Sequence, residues 1–202
     1  MKLYYKPGAC SLATHIILNE LDLPFELDKV DTQHNETENG QDYLEINPKG
    51  YVPALVLDSG DVLTENSAVL QHIADLYPDA KLAPQVGTLS RTRFEEYLSY
   101  TSSELHKSFG PLFSSSSNDE EKAKAKINVA SKFNYLNKLL SDGRKFLIDD
   151  TFTVADAYLF TVSNWANFVD IDLAQWPYLS EFVAYIAERP AAKSAMEAEG
   201  LI

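Results

Sequence analysis

The 202-residue sequence contains a single cysteine, Cys10, so an intramolecular disulfide framework and a multi-thiolate metal site are both excluded. A lone thiol is most easily kept reduced in the cytosol. The four histidines, His15, His34, His72 and His106, stand at no metal-ligand spacing, and no carboxylate cluster accompanies them, so no metal site is expected. Positive charge is scarce: 17 lysines and arginines face 30 acidic residues, a net charge of −13. Such a field repels phosphate backbones and anionic membranes, which argues against nucleic-acid and membrane partners. No apolar run reaches the roughly 18 residues of a spanning helix, and none follows Lys2 as a leader would, so the chain is expected to be cytoplasmic and unprocessed. There is no internal repeat. With 45% hydrophobic and 23% charged residues, the composition is that of a globular protein, long enough for one domain or two small ones.

The charge divides the chain. Residues 1–80 carry 4 basic and 14 acidic side chains, net −10, and residues 81–202 carry 13 and 16, net −3. Between them, Pro78, Pro84 and Gly87 punctuate a stretch read as a linker over 81–87. Before it, Leu3 and Tyr5 alternate as in a strand, and Ser11–Asp22 places Leu12, Ile16, Ile17 and Leu21 at helical spacing. Phe25, Leu27 and Val30 suggest a second strand. Ala54–Asp58 and Val62–Thr64 flank a Ser59-Gly60-Asp61 turn, and a helix follows from Glu65-Asn66 to Pro78 with Ala68, Val69, Ile73 and Leu76 inward. The order is βαβ, a loop, then ββα. After the linker, helices are expected over Leu89 to about Phe113, from Asn118 or Asp119 to before Gly143 with Ile127, Leu136 and Leu140 buried, from the Thr153–Asp156 capping box, over Tyr178–Glu188, and from Pro190.

Cys10 falls between the first strand and the first helix, where unpaired N–H groups and the helix dipole stabilise a thiolate, its own or a ligand's. Ser11 adds a hydroxyl at the same helix start. The alternative for a lone cysteine is a small buried core residue. Val52-Pro53 puts proline at the mouth of a strand; a cis bond there leaves the Val52 backbone to pair with an extended ligand, whereas a trans bond is the commoner case. Glu65 and Asn66 open the next helix and together offer a carboxylate for an ammonium group and an amide for a carboxylate, the pattern of an amino-acid zwitterion site, or else a simply capped helix. Ser99, Ser103 and His106 follow i, i+4, i+7 and form one polar stripe, a ligand-facing or a solvated face. Tyr97, Phe109, Phe113, Tyr158 and Trp165 either line an apolar pocket or fill the helical core.

Three segments carry a resemblance: Met1-Lys2-Leu3-Tyr4-Tyr5-Lys6-Pro7-Gly8-Ala9-Cys10-Ser11-Leu12-Ala13, Asn47-Pro48-Lys49-Gly50-Tyr51-Val52-Pro53-Ala54-Leu55, and Ser103-Glu104-Leu105-His106. The sequence resembles the bacterial beta-class glutathione S-transferases over its whole length. The resemblance implies an α/β plus all-α architecture. Its parts would be a thioredoxin-like, glutathione-binding domain over 1–80, the linker over 81–87, and an all-helical domain over 88–202 bearing a second-substrate pocket and dimer contacts. It implies glutathione as co-substrate, a small hydrophobic electrophile, a homodimer, no metal, and a cis Val52-Pro53 bond pairing with glutathione. Carried over, the catalytic residues are Cys10 and His106. The glutathione site is Cys10, Ser11, Asn35, Tyr51, Val52, Pro53, Glu65, Asn66, Ser99, Ser103, Glu104, Leu105, His106 and Lys107, with Ser103 and Glu104 reaching the partner subunit's γ-glutamyl group.

Three positions depart from the family pattern: Asn66 replaces a usual serine, Asn35 an often-seen lysine directed at the glycine carboxylate, and Ser99 a usual asparagine. Weaker glutathione binding is the expectation. The implied activity is conjugation of the glutathione thiolate to alkyl or aryl electrophiles in detoxification, with Cys10-dependent thiol–disulfide exchange beside it. The alternatives are a glutaredoxin-type disulfide reductase and a non-enzymatic glutathione-binding protein on the same fold. Cys10-Ser11-Leu12-Ala13 is no CxxC, which excludes a two-thiol cycle.

Overall fold

A computed structural model describes residues 1–148 and 150–202. They form two compact units, Met1–Leu82 with Glu188–Ile202, and Ala83–Ala187.

The first unit is built on a five-stranded sheet in the order β3-β2-β1-β4-β5. β1 (Lys2–Tyr5) runs parallel to β2 (Glu26–Asp31), and α1 (Ser11–Glu20) makes the crossover between them. β4 (Ala54–Val56) is antiparallel to β1 with Leu3 opposite Leu55, and β5 (Val62–Thr64) closes the hairpin through Gly60, whose φ of 90° suits the turn. α2 (Asn66–Leu76) follows, so the expected βαβ and ββα order is present. β3 (Glu36–Thr37), a two-residue edge strand antiparallel to β2, is an addition too short to leave a periodic signal. Alternation along β1 sends Tyr4 to one face, against Tyr43, and Tyr5 to the other, against His15 of α1.

Two inward positions expected on α2 are exposed. Ala68 and Leu76 face solvent, and the buried stripe is Val69, Leu70, Ile73 and Ala74, rotated by one residue. α8 (Pro190–Ala198), which the sequence reading assigns to the helical half, packs on α1 through Ala192, Ala195 and Met196. Polar links lock it there: Arg189 makes a two-pronged ion pair with Glu20, and Asn19 donates to the Ala191 carbonyl. Just beyond α8, buried Glu199 takes His15 Nδ1 at 2.9 Å on one oxygen and the Gly8 N–H at 2.8 Å on the other. The end of the chain therefore holds the Pro7-Gly8-Ala9 turn that leads to Cys10.

The second unit is helical. The single helix expected over Leu89–Phe113 is three pieces: α3 (Leu89–Tyr100), a π-helical turn over Thr101–His106, and the short α4 (Gly110–Phe113). α5 (Asp119–Leu140) opens on an Asn118–Glu121 capping box and buries Ala125, Val129, Phe133, Leu136 and Leu140. Ile127, expected in that stripe, is 73% exposed, because it lies half a turn from Val129 on the helix cylinder. α6 (Val154–Asn164) is buried all round from Val154 to Ser163. The Asp156 carboxylate accepts the Thr153 N–H and hydroxyl at 2.8 Å each, and the Leu147 N–H at 2.7 Å. Burial pushes this carboxyl up to about 6, against the pull of those hydrogen bonds. α7 (Pro177–Ala187) completes the unit.

Candidate functional site

Cys10 is the residue before α1, 8% exposed, with its thiol donating to the Val52 carbonyl at 3.2 Å. The Val52-Pro53 bond is cis. The carbonyl that the sequence reading offers to a ligand thus already meets the cysteine. Ser11 is different from expectation. It is fully buried and its hydroxyl turns back to the Lys6 backbone, bridging N–H and C=O at 3.3 and 3.4 Å, so it braces the turn and does not point outward from the helix start.

Asn66 also has a structural task. Only 6% exposed, its Nδ2 donates to the Cys10 carbonyl at 3.1 Å and its Oδ1 accepts the Thr14 hydroxyl at 2.8 Å. The amide expected to meet a ligand carboxylate instead ties the start of α2 to the start of α1. Beside it Glu65 holds φ 67°, ψ 106°, makes no side-chain cap to α2, and lies 2.6 Å from the Lys49 ammonium.

The Asn47–Pro53 turn is fixed from within. Tyr43 and Asn47 both donate to the Tyr51 carbonyl, at 2.7 and 2.6 Å, and the Tyr51 ring is left exposed. Burial raises the Tyr43 hydroxyl to about 12, so it remains a donor. Asn35, in the left-handed region, is half-buried against Gly50; a Cβ on Gly50 would stand 2.9 Å from its Oδ1. Cys10, Val52, Pro53, Glu65 and Asn66 are thus one connected group, with Asn35 and Tyr51 on its flanking turn.

The other predicted residues lie in the second unit. Ser99 and Ser103 are exposed, and the Ser103 hydroxyl donates to the Ser99 carbonyl. Glu104 is ion-paired with Lys132 of α5, Leu105 is core, and Lys107 is exposed. His106 does not share the serines' stripe. The π-helical turn holds an extra residue, which rotates the positions after it by about 100°. The ring turns inward, with Nδ1 2.8 Å from the Tyr158 hydroxyl and its face edge-on to Trp165 at 4.7 Å between centroids. Burial, with the neighbouring Lys107 charge adding to it, lowers its pKa to about 4, so the imidazole is neutral at physiological pH. Tyr97, Phe109, Tyr158 and Trp165 are buried, while Phe113 is half exposed and lies edge-on to Trp165.

Thr14, Tyr43, Asn47 and Lys49 are contributors that the sequence reading does not include. The Asn47-Pro48-Lys49-Gly50 turn is visible as sequence, but the partners of its polar side chains depend on tertiary contacts. Among the described residues, no group of His, Cys, Asp and Glu is placed to hold a metal ion, and no helix is long and apolar enough to cross a membrane.

Comparison with known proteins bears on both units. The family model for the glutathione S-transferase N-terminal domain matches residues 8–76, and that for the C-terminal domain matches residues 100–190. The chain is 45% identical to glutathione S-transferase GstA of Escherichia coli O157:H7, over the full length of both. It is 47% identical to a solved beta-class glutathione S-transferase of Sphingomonas chungbukensis, with TM-score 0.97 and full coverage of both chains. A sphingomonad glutathione S-transferase solved in complex with glutathione is 48% identical, with TM-score 0.95 and full coverage of both.

Proposed function

The chain belongs to the glutathione S-transferase family, and we propose that it conjugates the glutathione thiolate to small hydrophobic electrophiles. The observation that carries this reading is the Cys10–Val52 contact at 3.2 Å. It places a helix start, a lone thiol and a strand backbone next to the cis proline in one group, as a bound cysteinyl peptide requires. The N-terminal dipole of α1 favours the ligand sulfur as a thiolate, which raises the nucleophile concentration at neutral pH. The thiolate then attacks the electrophilic carbon, forming the C–S bond as the leaving group departs with its electron pair. Glu65 takes the γ-glutamyl ammonium in this reading, and His106 keeps the catalytic role that the family resemblance gives it. The glutathione complex of the 48%-identical sphingomonad relative supports glutathione as the ligand.

A second activity is favoured by the position of Cys10 itself. Its thiolate attacks a glutathionyl mixed disulfide, forming Cys10–S–S–glutathione and releasing the other thiol; a second glutathione thiolate then regenerates Cys10 and leaves as glutathione disulfide. Detoxification, a cytoplasmic location and a homodimer complete the reading, on the family resemblance and the single reduced cysteine.

Assay of purified protein with glutathione and an aryl halide, and separately with hydroxyethyl disulfide, tests both activities. Cys10→Ala is expected to abolish disulfide reduction and only reduce conjugation. Equal loss of both refutes separate roles, and retention on immobilised glutathione with no turnover of either substrate refutes the enzymatic reading. Light scattering at twice the chain mass is the expected result for the homodimer.

A further inference from the structure

Glu199 is a buried carboxylate at a helix end that disfavours one. It follows the last residue of α8, at the negative pole of that helix, and no basic side chain stands in the last turn. An apolar side chain would fill the space without taking a charge out of water, so stability alone is a poor reason for a glutamate here. The end of α8 is nevertheless built to aim it. Gly200, at φ 70°, donates to the Glu197 carbonyl at 3.0 Å, and Leu201 donates to the Met196 carbonyl at 2.9 Å, the two bonds of a Schellman motif. Leu201 then covers Gly8 so closely that a Cβ on Gly8 would stand 3.3 Å from its Cδ2.

The two oxygens of this carboxylate grip the chain on either side of Cys10. Oε2 takes the Gly8 N–H at 2.8 Å, in the turn before the thiol, and Oε1 meets His15 Nδ1 at 2.9 Å, on the helix after it. The His15 ring is itself wedged edge-on against Tyr5 and Phe25, at 6.2 and 5.5 Å between centroids. Burial, with the Glu199 charge adding to it, raises the pKa of the Tyr5 hydroxyl, so that group brings no further charge to the cluster. Between the two gripped points, Ala9 donates to the Lys6 carbonyl at 3.0 Å.

We propose that Glu199 is a positioning residue for Cys10: one carboxylate holds the turn before the thiol and the helix after it, and so fixes where the sulfur stands against the start of α1. A thiol on the axis of α1 ionises more readily because it faces the positive pole, and one that swings off the axis loses that help. Loss of the clamp therefore raises the ionisation midpoint of Cys10, and a looser turn also changes access to it. A pH profile separates the two, since its midpoint reads ionisation and its plateau reads access. This inference rests on the Cys10 thiol chemistry proposed above and adds a residue that acts on it through the backbone.

Iodoacetamide alkylation of the full-length protein, followed by mass spectrometry from about pH 5 to 10, tests it. Glu199→Ala is expected to move the Cys10 midpoint up by about 0.5–1 pH unit and to change the plateau rate by at least about 3-fold. Glu199→Gln keeps the hold without the charge: its oxygen accepts the Gly8 N–H and its NH2 donates to an unprotonated His15 Nδ1, so its midpoint should stay within about 0.3 unit of wild type. His15→Phe refills the place between Tyr5 and Phe25 but cuts the hold on α1; it should shift the midpoint upward by less, and it decides the matter if Glu199→Ala does not fold. Met196→Ala loosens the packing of α8 without touching the clamp, so it should lower Tm and leave the midpoint unchanged. Wild-type midpoint and plateau in both Glu199→Ala and His15→Phe overturn the inference. So does a Met196→Ala shift as large as that of Glu199→Ala, which marks a purely structural role, or an equal shift in Glu199→Gln, which marks the charge and not the hold as the cause. Wild type that shows the expected Glu199 dependence but turns over no hydroxyethyl disulfide overturns the thiol-exchange reading instead.

Discussion

The Tyr158 hydroxyl of α6 and Nδ1 of His106, at the end of the π-helical turn, are 2.8 Å apart, in a hydrogen bond that fixes the imidazole plane. Trp165 packs edge-on against the same ring. The histidine is therefore held by the helical core and presents only Nε2 to any other partner.

His106 is expected to titrate near pH 4 by imidazole NMR, against about 6.5 in the unfolded chain. The unfolded chain then binds the proton more tightly, so this group's contribution is complete above about pH 6.5 and declines as the pH falls toward 4. Denaturant midpoints for wild type between pH 7 and 4.5 should show that decline, and His106→Phe should lessen it. A titration midpoint at 6 or above contradicts the buried placement.

Asn66→Ala removes the bonds to the Cys10 carbonyl and the Thr14 hydroxyl in a buried setting. Urea unfolding should register a loss of about 1–3 kcal/mol. Cys10 should also alkylate faster with iodoacetamide, since its backbone is no longer tied to α2. A stability change under about 0.5 kcal/mol together with an unchanged alkylation rate argues that the link carries nothing.

Asp156→Ala leaves the Thr153 and Leu147 donors buried without their acceptor. A loss of about 3–5 kcal/mol in equilibrium unfolding is expected, enough to leave a marginal protein partly unfolded at 37 °C. Thr153→Ala, which keeps the carboxylate and its two backbone donors, should cost less.

The buried stripe of α5 is tested by a pair of truncations. Val129→Ala should destabilise by about 1–3 kcal/mol, whereas Ile127→Ala on the exposed face should change stability by less than about 0.5 kcal/mol. Thermal melts of the two variants beside wild type decide it; equal effects refute the observed register.

Periodicity located the helices well because amphipathic spacing is a local property. Thr153 opens a helix where its capping box indicates, Asn118 is one of the two caps expected for α5, and the hairpin turns at Gly60. The same reasoning misassigned Leu76 and Ile127, since a hydrophobic residue at helical spacing does not reveal which side of the stripe a neighbouring element will cover. It also gave His106 to the Ser99–Ser103 stripe. Nothing in Thr101–His106 announces a π-helical turn, which tertiary packing against α6 stabilises and local propensity does not.

The sequence by itself determined the acidic charge, the single thiol at a strand-to-helix junction, and the proline and glutamate of the site, because residue type and spacing are enough to say what chemistry is on offer. Only the tertiary structure decided how those groups are engaged: Ser11 and Asn66 turned inward to brace Cys10, Lys49 set against Glu65, His106 rotated onto Tyr158, and Glu199 reaching back from the chain's end to Gly8. A buried polar side chain takes whichever partner the fold brings within hydrogen-bond reach, and residues as distant in sequence as Gly8 and Glu199 meet only once the chain has folded.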